Sequence, residues 1–156
     1  MKPFKLALCL CVLMVTPVMT AQRPPDPKVE IYIPAGMEKI IQIEATRDES
    51  EPTITKYNIK RIVGPEVNKV TILNLIVGPE GKIDHEFRYT TSRVSDPANV
   101  AWASMIKADR LILIVERVET KDGEWVLDAD DVMADPKAVV ERGKDALPHA
   151  RFVKRE

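Results

Sequence analysis

Short runs of β-branched and aromatic residues, each ended by glycine, proline or an acidic turn residue, cover most of the chain after residue 28. Such runs are typical of strands, because branched and ring side chains pack well on a pleated surface. Seven of them occupy residues 29–33, 39–46, 53–63, 69–77, 82–91, 111–120 and 124–128. The pattern predicts a β-rich protein of about seven mainly antiparallel strands.

An Asp-Pro pair at Asp96 interrupts this pattern between the fifth and sixth strands. Aspartate is a preferred helix cap and proline suits the first helical turn, so the pair predicts a helix start. The side chains of Trp102, Met105 and Ile106 would then share one helical face. The sequence therefore predicts an inserted helix here.

A second Asp-Pro pair, at Asp135, follows the last predicted strand. An apolar stripe of Val139, Val140 and Leu147 comes next, and Pro148 ends the run. These features predict a C-terminal helix, which Gly143 weakens by about 1 kcal/mol relative to alanine. We expect the helix to depend on docking against the sheet.

Two turn signals predict strand pairings. Asp122-Gly123 is typical of a two-residue hairpin turn and places Thr120 opposite Trp125. If residues 78–81 form the whole loop of a second hairpin, Asn74 lies opposite His85 on an apolar face. Both registers follow from counting outward from the turn.

One face of the sixth predicted strand carries the apolar residues Leu111, Leu113 and Val115. Another element of secondary structure must cover this face. A helix is the natural cover, which predicts an α+β fold: a β-rich single domain with one inserted and one C-terminal helix. The alternative is an immunoglobulin-like β-sandwich with both helices added. A helix or a second sheet over these three residues separates the two folds.

The first 21 residues predict export. Lys2 and Lys5 precede an unbroken apolar run over residues 6–15, and the segment ends at Ala21. This is the pattern of a cleaved signal peptide, and the run is too short for a membrane span, which needs about 20 apolar residues. We expect a periplasmic or secreted protein; an uncleaved anchor is the alternative.

The predicted domain organisation has four parts. A signal peptide over 1–21 precedes a Pro-rich extended linker over 22–28, a globular domain over 29–150 and a charged C-terminal tail over 151–156. Both cysteines, Cys9 and Cys11, fall in the signal peptide. The mature domain is therefore predicted to contain no cysteine and to be held by its core alone.

The charge balance argues against nucleic-acid binding. The chain carries 23 basic and 24 acidic residues, and cleavage would remove two of the basic ones, Lys2 and Lys5. A nucleic-acid partner needs a basic field, which the mature chain lacks. We expect no nucleic-acid partner and no transmembrane segment after cleavage, and the oligomeric state stays open.

Asn74 and His85 form the one pair of polar residues that the sequence singles out. A cross-strand amide–imidazole hydrogen bond would satisfy both groups, so a structural pair is the favoured interpretation. The alternative is a ligand contact or proton-transfer group, because histidine titrates near neutrality. Trp102 and Trp125 lie on predicted apolar faces, which favours core packing over a binding groove.

Motifs for catalysis, cofactors or metals are not found. The acidic series Asp128, Asp130, Asp131 and Asp135 lacks the spacing of a calcium loop, so no metal site is predicted. There is no Gly-x-Ser-x-Gly elbow and no Gly-x-Gly-x-x-Gly loop, so no catalytic residue and no cofactor are predicted.

The leading functional hypothesis is a non-enzymatic exported protein that binds an unknown protein or small ligand of the cell envelope. Exposed strand edges of a β-rich domain would accept a partner strand. The competing hypothesis is a small exported hydrolase that uses dispersed carboxylates with His85. Carboxylates with a raised pKa in a pocket favour the enzyme, and an exposed apolar patch or bare edge strand favours the binder.

Overall fold

The computed structural model describes residues 25–50, 54–91, 98–103, 108–127 and 135–156. The predicted signal peptide and the acidic residues Asp128, Asp130 and Asp131 lie outside these ranges. The prediction of export therefore continues to depend on the sequence.

The described residues confirm a β-rich α+β fold with a C-terminal helix. They form nine strands, of which seven match the predicted runs to within two residues at either end. The strands are β1 (Lys28–Tyr32), β2 (Ile41–Asp48), β3 (Ile54–Val63), β4 (Val67–Val77), β5 (Ile83–Thr91), β6 (Ala98–Ala103), β7 (Arg110–Thr120), β8 (Gly123–Leu127) and β9 (Ala150–Lys154), and the helix is α1 (Pro136–Arg142).

The strands make two sheets. The larger has the order β5-β4-β7-β8-β9, and β1 joins it as a parallel partner of β7. β1 lies along the first half of β7, from Arg110 to Ile114, and β8 lies along the second half, from Arg117 to Glu119. The smaller sheet is antiparallel, with the order β2-β3-β6.

The main core lies between the two sheets. Leu111, Leu113 and Val115 of β7 are fully buried there, against Ile41 and Ile59 of the smaller sheet. A second sheet, and not a helix, therefore covers the face that the sequence analysis assigned to a helix, so the packing of sheet on sheet is that of the alternative, while the β-rich composition and the C-terminal helix are as predicted. The reason is that β2 and β3 present their own apolar face, which only another sheet face can bury over its full length.

The helix covers the opposite face of the larger sheet. Leu73 and Leu75 of β4 and Ile112 and Ile114 of β7 form a second buried cluster with Val139 of α1. The larger sheet is thus buried on both faces, which explains why β4 and β7 are apolar at consecutive positions near their centres. The arrangement has three layers: sheet, sheet and helix.

The C-terminal helix forms as the sequence predicts. The carboxylate of Asp135 accepts a hydrogen bond from the backbone N–H of Lys137 at 3.0 Å, and proline begins the helix. Gly143 ends it with a φ of 67°, a conformation that glycine adopts without strain, and a 3-10 turn continues to Ala146. Val139 is fully buried, so the predicted stripe faces the sheet.

The prediction of an inserted helix is wrong where the structure describes the chain. Residues 98–103 form β6, which pairs antiparallel with β3 from Ile54↔Ala103 to Ile59↔Ala98. The reason is that β3 has an edge with which residues 98–103 can form backbone hydrogen bonds along their whole length. The conformation of a short apolar segment depends on the element that the tertiary structure places beside it. Trp102 therefore lies in a strand, opposite Thr55, and the predicted face with Met105 and Ile106 lies partly outside the described residues.

The predicted charged tail also contains a strand. β9 pairs with β8 from Gly123↔Lys154 to Leu127↔Ala150, and the N–H of Arg155 donates to the carbonyl of Asp122 at 2.9 Å. The basic side chains of this segment are exposed, and its backbone groups form hydrogen bonds with the edge of β8. A run of charges indicates a solvated surface, and that surface belongs here to an edge strand.

Both hairpin registers differ by two residues from the predicted ones. Asn74 lies opposite Phe87, and Val118 lies opposite Trp125. The first loop has five residues, since Val77 pairs with Ile83, and a bulge at Asp84 of β5 shifts the register by one more residue, so that Ile76 pairs with His85. At the second turn the Thr120 hydroxyl donates to the Gly123 carbonyl at 3.0 Å, which closes a wider loop.

The end of the predicted linker lies against the smaller sheet. The Tyr57 hydroxyl of β3 donates to the carbonyl of Pro27 at 3.4 Å, and Asp26 forms an ion pair with Arg47 of β2. Lys28 already belongs to β1. These contacts direct the chain from the linker into the centre of the larger sheet.

Candidate binding surface at strand β5

Strand β5 forms one edge of the larger sheet and pairs, among the described strands, with β4 alone. All its side chains from Asp84 to Thr90 are exposed, whereas β4 beside it is almost entirely buried. An edge strand presents backbone N–H and C=O groups that can pair with another strand. β5 therefore combines an open backbone edge with two accessible side-chain rows.

The first row is aromatic and consists of His85, Phe87 and Tyr89. In the ladder these residues lie opposite Ile76, Asn74 and Ile72, and the side chains of Ile76 and Ile72 belong to the core against the smaller sheet. The smaller sheet leaves this edge partly uncovered, since Phe87 is 38% exposed and Tyr89 is 40% exposed. The aromatic row is therefore an apolar strip at the rim of the core.

A buried cation holds one end of the aromatic row. The guanidinium carbon of Arg61, on β3, lies 5.5 Å from the centre of the Tyr89 ring. Arg61 itself is only 4% exposed. A cation over a ring face at this distance is an attractive contact. It links the two sheets at the edge and fixes the orientation of Tyr89.

The second row of β5 is charged and consists of Glu86 and Arg88. Arg88 donates from Nε to Glu116 Oε2 at 2.8 Å and from Nη2 to Glu116 Oε1 at 3.2 Å. Its third nitrogen donates to Glu86 at 3.1 Å. The carboxylate of Glu116, on β7, is 3% exposed and needs such a partner. Arg88 is therefore held rigidly on the sheet.

A groove separates the beginning of β5 from α1. Its lining includes His85, Asp84, Glu86, Asp135 and Lys137. The groove is open to solvent along its length and carries charges of both signs. Its lining joins residues of the β5 edge to Asp135 before α1, which the sequence did not predict because Asp135 comes from a distant element.

Asn74 and His85 lie on the same side of the sheet but do not form the predicted hydrogen bond. The Asn74 amide, 2% exposed, donates from Nδ2 to the carbonyls of Ile72 at 3.2 Å and Phe87 at 3.4 Å. His85 lies one diagonal step along β5 and is exposed. Asn74 thus has a structural role, and His85 belongs to the aromatic row.

Trp125 packs against the core between the sheets. Its ring lies 5.5 Å from the Phe152 ring, and a Cβ atom at Gly36 would come within 2.7 Å of it. Gly36 has a φ of 99°, so glycine serves there both for its backbone conformation and for the close approach of the ring. For Trp102, on β6, core packing stays a prediction and a binding groove stays its alternative.

Among the described residues, the carboxylate with a displaced pKa lies away from β5. The hydrogen bonds from Arg110 lower the pKa of Glu30, on β1, to about 2 against the opposing effect of burial, and Tyr32 contributes a further bond. Arg110 also donates to the carbonyl of Val140 in α1 at 2.9 Å. A lowered pKa keeps a carboxylate ionised, which suits an anchor between sheet and helix and not a general acid.

No protein-family model, no curated protein and no solved structure matches this chain. Within the described ranges, no three His, Cys, Asp or Glu side chains gather closely enough to hold a metal ion. In the same ranges, every helix is too short or too polar to cross a membrane. The function of the protein therefore has to be inferred from the chemistry of its surface.

Sequence reasoning did not identify the exposed rings of Phe87 and Tyr89, or the buried Arg61 beside them, as parts of this site. The aromatic row itself could have been predicted from the sequence, because alternation along the strand places His85, Phe87 and Tyr89 on one face. The edge position of β5 was not visible in the sequence. Arg61, from the other sheet, has no local signal at all.

Proposed function

We propose that this protein is an exported, non-enzymatic binding or accessory protein that binds an extended polypeptide segment as an added strand along β5. The observation that carries the proposal is the exposed edge of β5 with its aromatic row. The signal-peptide pattern of residues 1–21 supports a periplasmic or secreted location.

Strand addition explains why both rows of β5 would matter. Backbone hydrogen bonds to an added strand supply affinity without regard to sequence, and alternate side chains supply specificity. The aromatic row offers apolar contact to every second residue of the added strand. The charged row, fixed by the bond from Arg88 to Glu116, would select residues of opposite charge.

β5 is better suited to this role than β9 at the other end of the sheet. β9 has five residues and carries Lys154, and a lysine on an edge strand discourages pairing. β5 has nine residues, contains neither lysine nor proline, and has its one arginine bound to Glu116. The longer edge is therefore the more open one.

A capture experiment with matched edge variants tests the proposal. The exported protein is immobilised and exposed to envelope and culture fractions, and bound polypeptides are identified by mass spectrometry. The double variant Phe87→Lys with Tyr89→Lys adds two charges to the β5 edge and should lose the captured partner. Phe152→Lys places a charge on β9, at a similarly exposed ring, and should retain it. Equal capture by all forms would contradict the proposal.

The groove beside β5 supports a second candidate, a small hydrolase that uses dispersed carboxylates with His85. It places His85 near Asp84, Glu86 and Asp135. Turnover of a panel of chromogenic ester and glycoside substrates, lost in His85→Ala, would favour this candidate. We expect no turnover by either form, because a binding surface needs no proton-transfer group.

A further inference from the structure

The sequence of β5 is chemically self-complementary about its central residue. Phe87 is the middle position of the nine-residue strand. On either side of it stand Glu86 and Arg88, which have opposite charges, and then His85 and Tyr89, which both carry rings. An antiparallel copy of the same strand, centred on Phe87, would therefore meet complementary groups at each of these positions.

We propose that the strand added at β5 is β5 of a second copy of this chain. The two strands run antiparallel, with a two-fold axis through the Phe87–Phe87 contact. This inference depends on the proposed function and names the partner of the same edge. It makes one continuous sheet of the two larger sheets.

The pairs in this register are favourable on both faces. On the charged face, Glu86 of each copy lies opposite Arg88 of the other, and opposite charges in directly opposed positions stabilise a sheet. On the other face, His85 lies opposite Tyr89, and the two Phe87 rings meet at the axis. Aromatic pairs across strands are likewise stabilising. The two aromatic rows join into one strip of six rings.

Neighbouring registers are unfavourable, which makes the proposal specific. A shift of the axis to Glu86 places the two Glu86 carboxylates opposite each other, and a shift to Arg88 does the same for the two guanidinium groups. Like charges in direct opposition destabilise a sheet. If the pairing slips by one residue, the charged row of one copy lies on the same face of the sheet as the aromatic row of the other. The register centred on Phe87 avoids all three conflicts.

A single pair of strands buries less surface than the about 1,200–2,000 Å² of a stable interface. We therefore expect a reversible dimer whose population rises with concentration. Sedimentation velocity over a wide concentration range measures this. Glu86→Arg places like charges opposite Arg88 in both copies and should weaken self-association by about tenfold or more. Glu44→Arg, an exposed charge reversal on β2, is the matched control and should leave it unchanged.

Cysteine cross-linking tests the register. All variants are made in the full chain with Cys9→Ala and Cys11→Ala, so that the introduced cysteine is the only one. Phe87→Cys should form a disulfide dimer, because directly opposed Cα atoms in an antiparallel pair lie about 4.5–5.5 Å apart, within disulfide range. Tyr89→Cys alone should not cross-link. A mixture of Tyr89→Cys with His85→Cys should cross-link, since these positions face each other.

The outcomes separate the dimer from the proposed function. A concentration-dependent dimer that cross-links through Phe87→Cys, with circular dichroism and melting unchanged in the variants, supports the inference. Efficient cross-linking of Tyr89→Cys alone overturns it. A monomer that still captures a partner through the β5 edge overturns the inference and leaves the proposed function standing. A monomer without such capture overturns both.

Discussion

At the scale of single residues, Glu30 shows how one polar group joins three elements. It lies on β1, receives two hydrogen bonds from Arg110 on β7 and a further one from Tyr32, while Arg110 reaches Val140 in α1. The side chain of Glu30 is 12% exposed. A carboxylate this well bonded stabilises the folded state in its ionised form.

Replacing Glu30 with glutamine should therefore lower stability in a pH-dependent way. The folded pKa of about 2 lies below the ordinary value of 4.5, so the stabilisation is fully present above pH 4.5 and is lost as the pH falls toward 2. At pH 7 we expect Glu30→Gln to reduce the free energy of unfolding by about 2–3 kcal/mol. Urea unfolding between pH 7 and pH 2 measures the difference.

The control for this prediction is Glu44→Gln on β2, an exposed carboxylate 4.0 Å from Lys60. An exposed pair of this kind contributes little, so its unfolding free energy should stay close to that of the unchanged protein. If the difference caused by Glu30→Gln stayed constant from pH 7 to pH 2, the assigned pKa of Glu30 would be wrong.

Asn74 and His85 show what residue types alone can predict. A buried amide was correctly expected to need partners, because an unsatisfied polar group in a core is costly. The partners are backbone carbonyls, whereas the sequence analysis expected the imidazole. The error came from the register, since the loop after β4 has five residues instead of four and a bulge at Asp84 of β5 shifts the pairings beyond it by one more.

At the scale of elements, β7 organises the fold. It pairs with β4 along one edge, and its other edge is divided between β1 and β8. A bulge near Glu116 changes its alternation, so that Val115 and Val118 both face the smaller sheet. The same bulge places Glu116 where Arg88 of the edge strand can reach it.

The helix α1 depends on its cap as well as on its buried stripe. Removing the side chain of Asp135 should cost about 1 kcal/mol, because one N–H of the first turn loses its acceptor. Thermal or urea unfolding of Asp135→Ala measures the loss. Lys137→Ala, an exposed position on the same helix, is the matched control and should change stability by less than about 0.5 kcal/mol. Equal effects in both variants would show that the cap contributes nothing.

At the scale of the whole molecule, the predicted leader would direct the protein to the periplasm or the exterior. We expect cleavage after Ala21, or after Thr20, because the apolar run is followed by small residues. Mass spectrometry of the protein recovered from the exporting cell should show a chain that begins at or next to Gln22. Recovery of intact Met1 in the membrane fraction would indicate an uncleaved anchor.

The amino-acid sequence by itself determined the local elements. The seven predicted strands and the helix after Asp135 form close to their predicted bounds, because β-branched runs, turn residues and a capped apolar stripe act over a few neighbouring positions. The β-rich composition was likewise enough to predict the fold class.

Only the tertiary structure decided which elements meet. β6 and β9 are strands because β3 and β8 have edges to pair with, and neither short segment has a pattern strong enough to specify a strand alone. The cover over Leu111 is a sheet, and the helix lies on the other face, since burial depends on surfaces brought from distant parts of the chain. The tertiary structure also decided that one edge of β5 is exposed, because the residues of a strand do not specify whether another strand will pair with each of its edges.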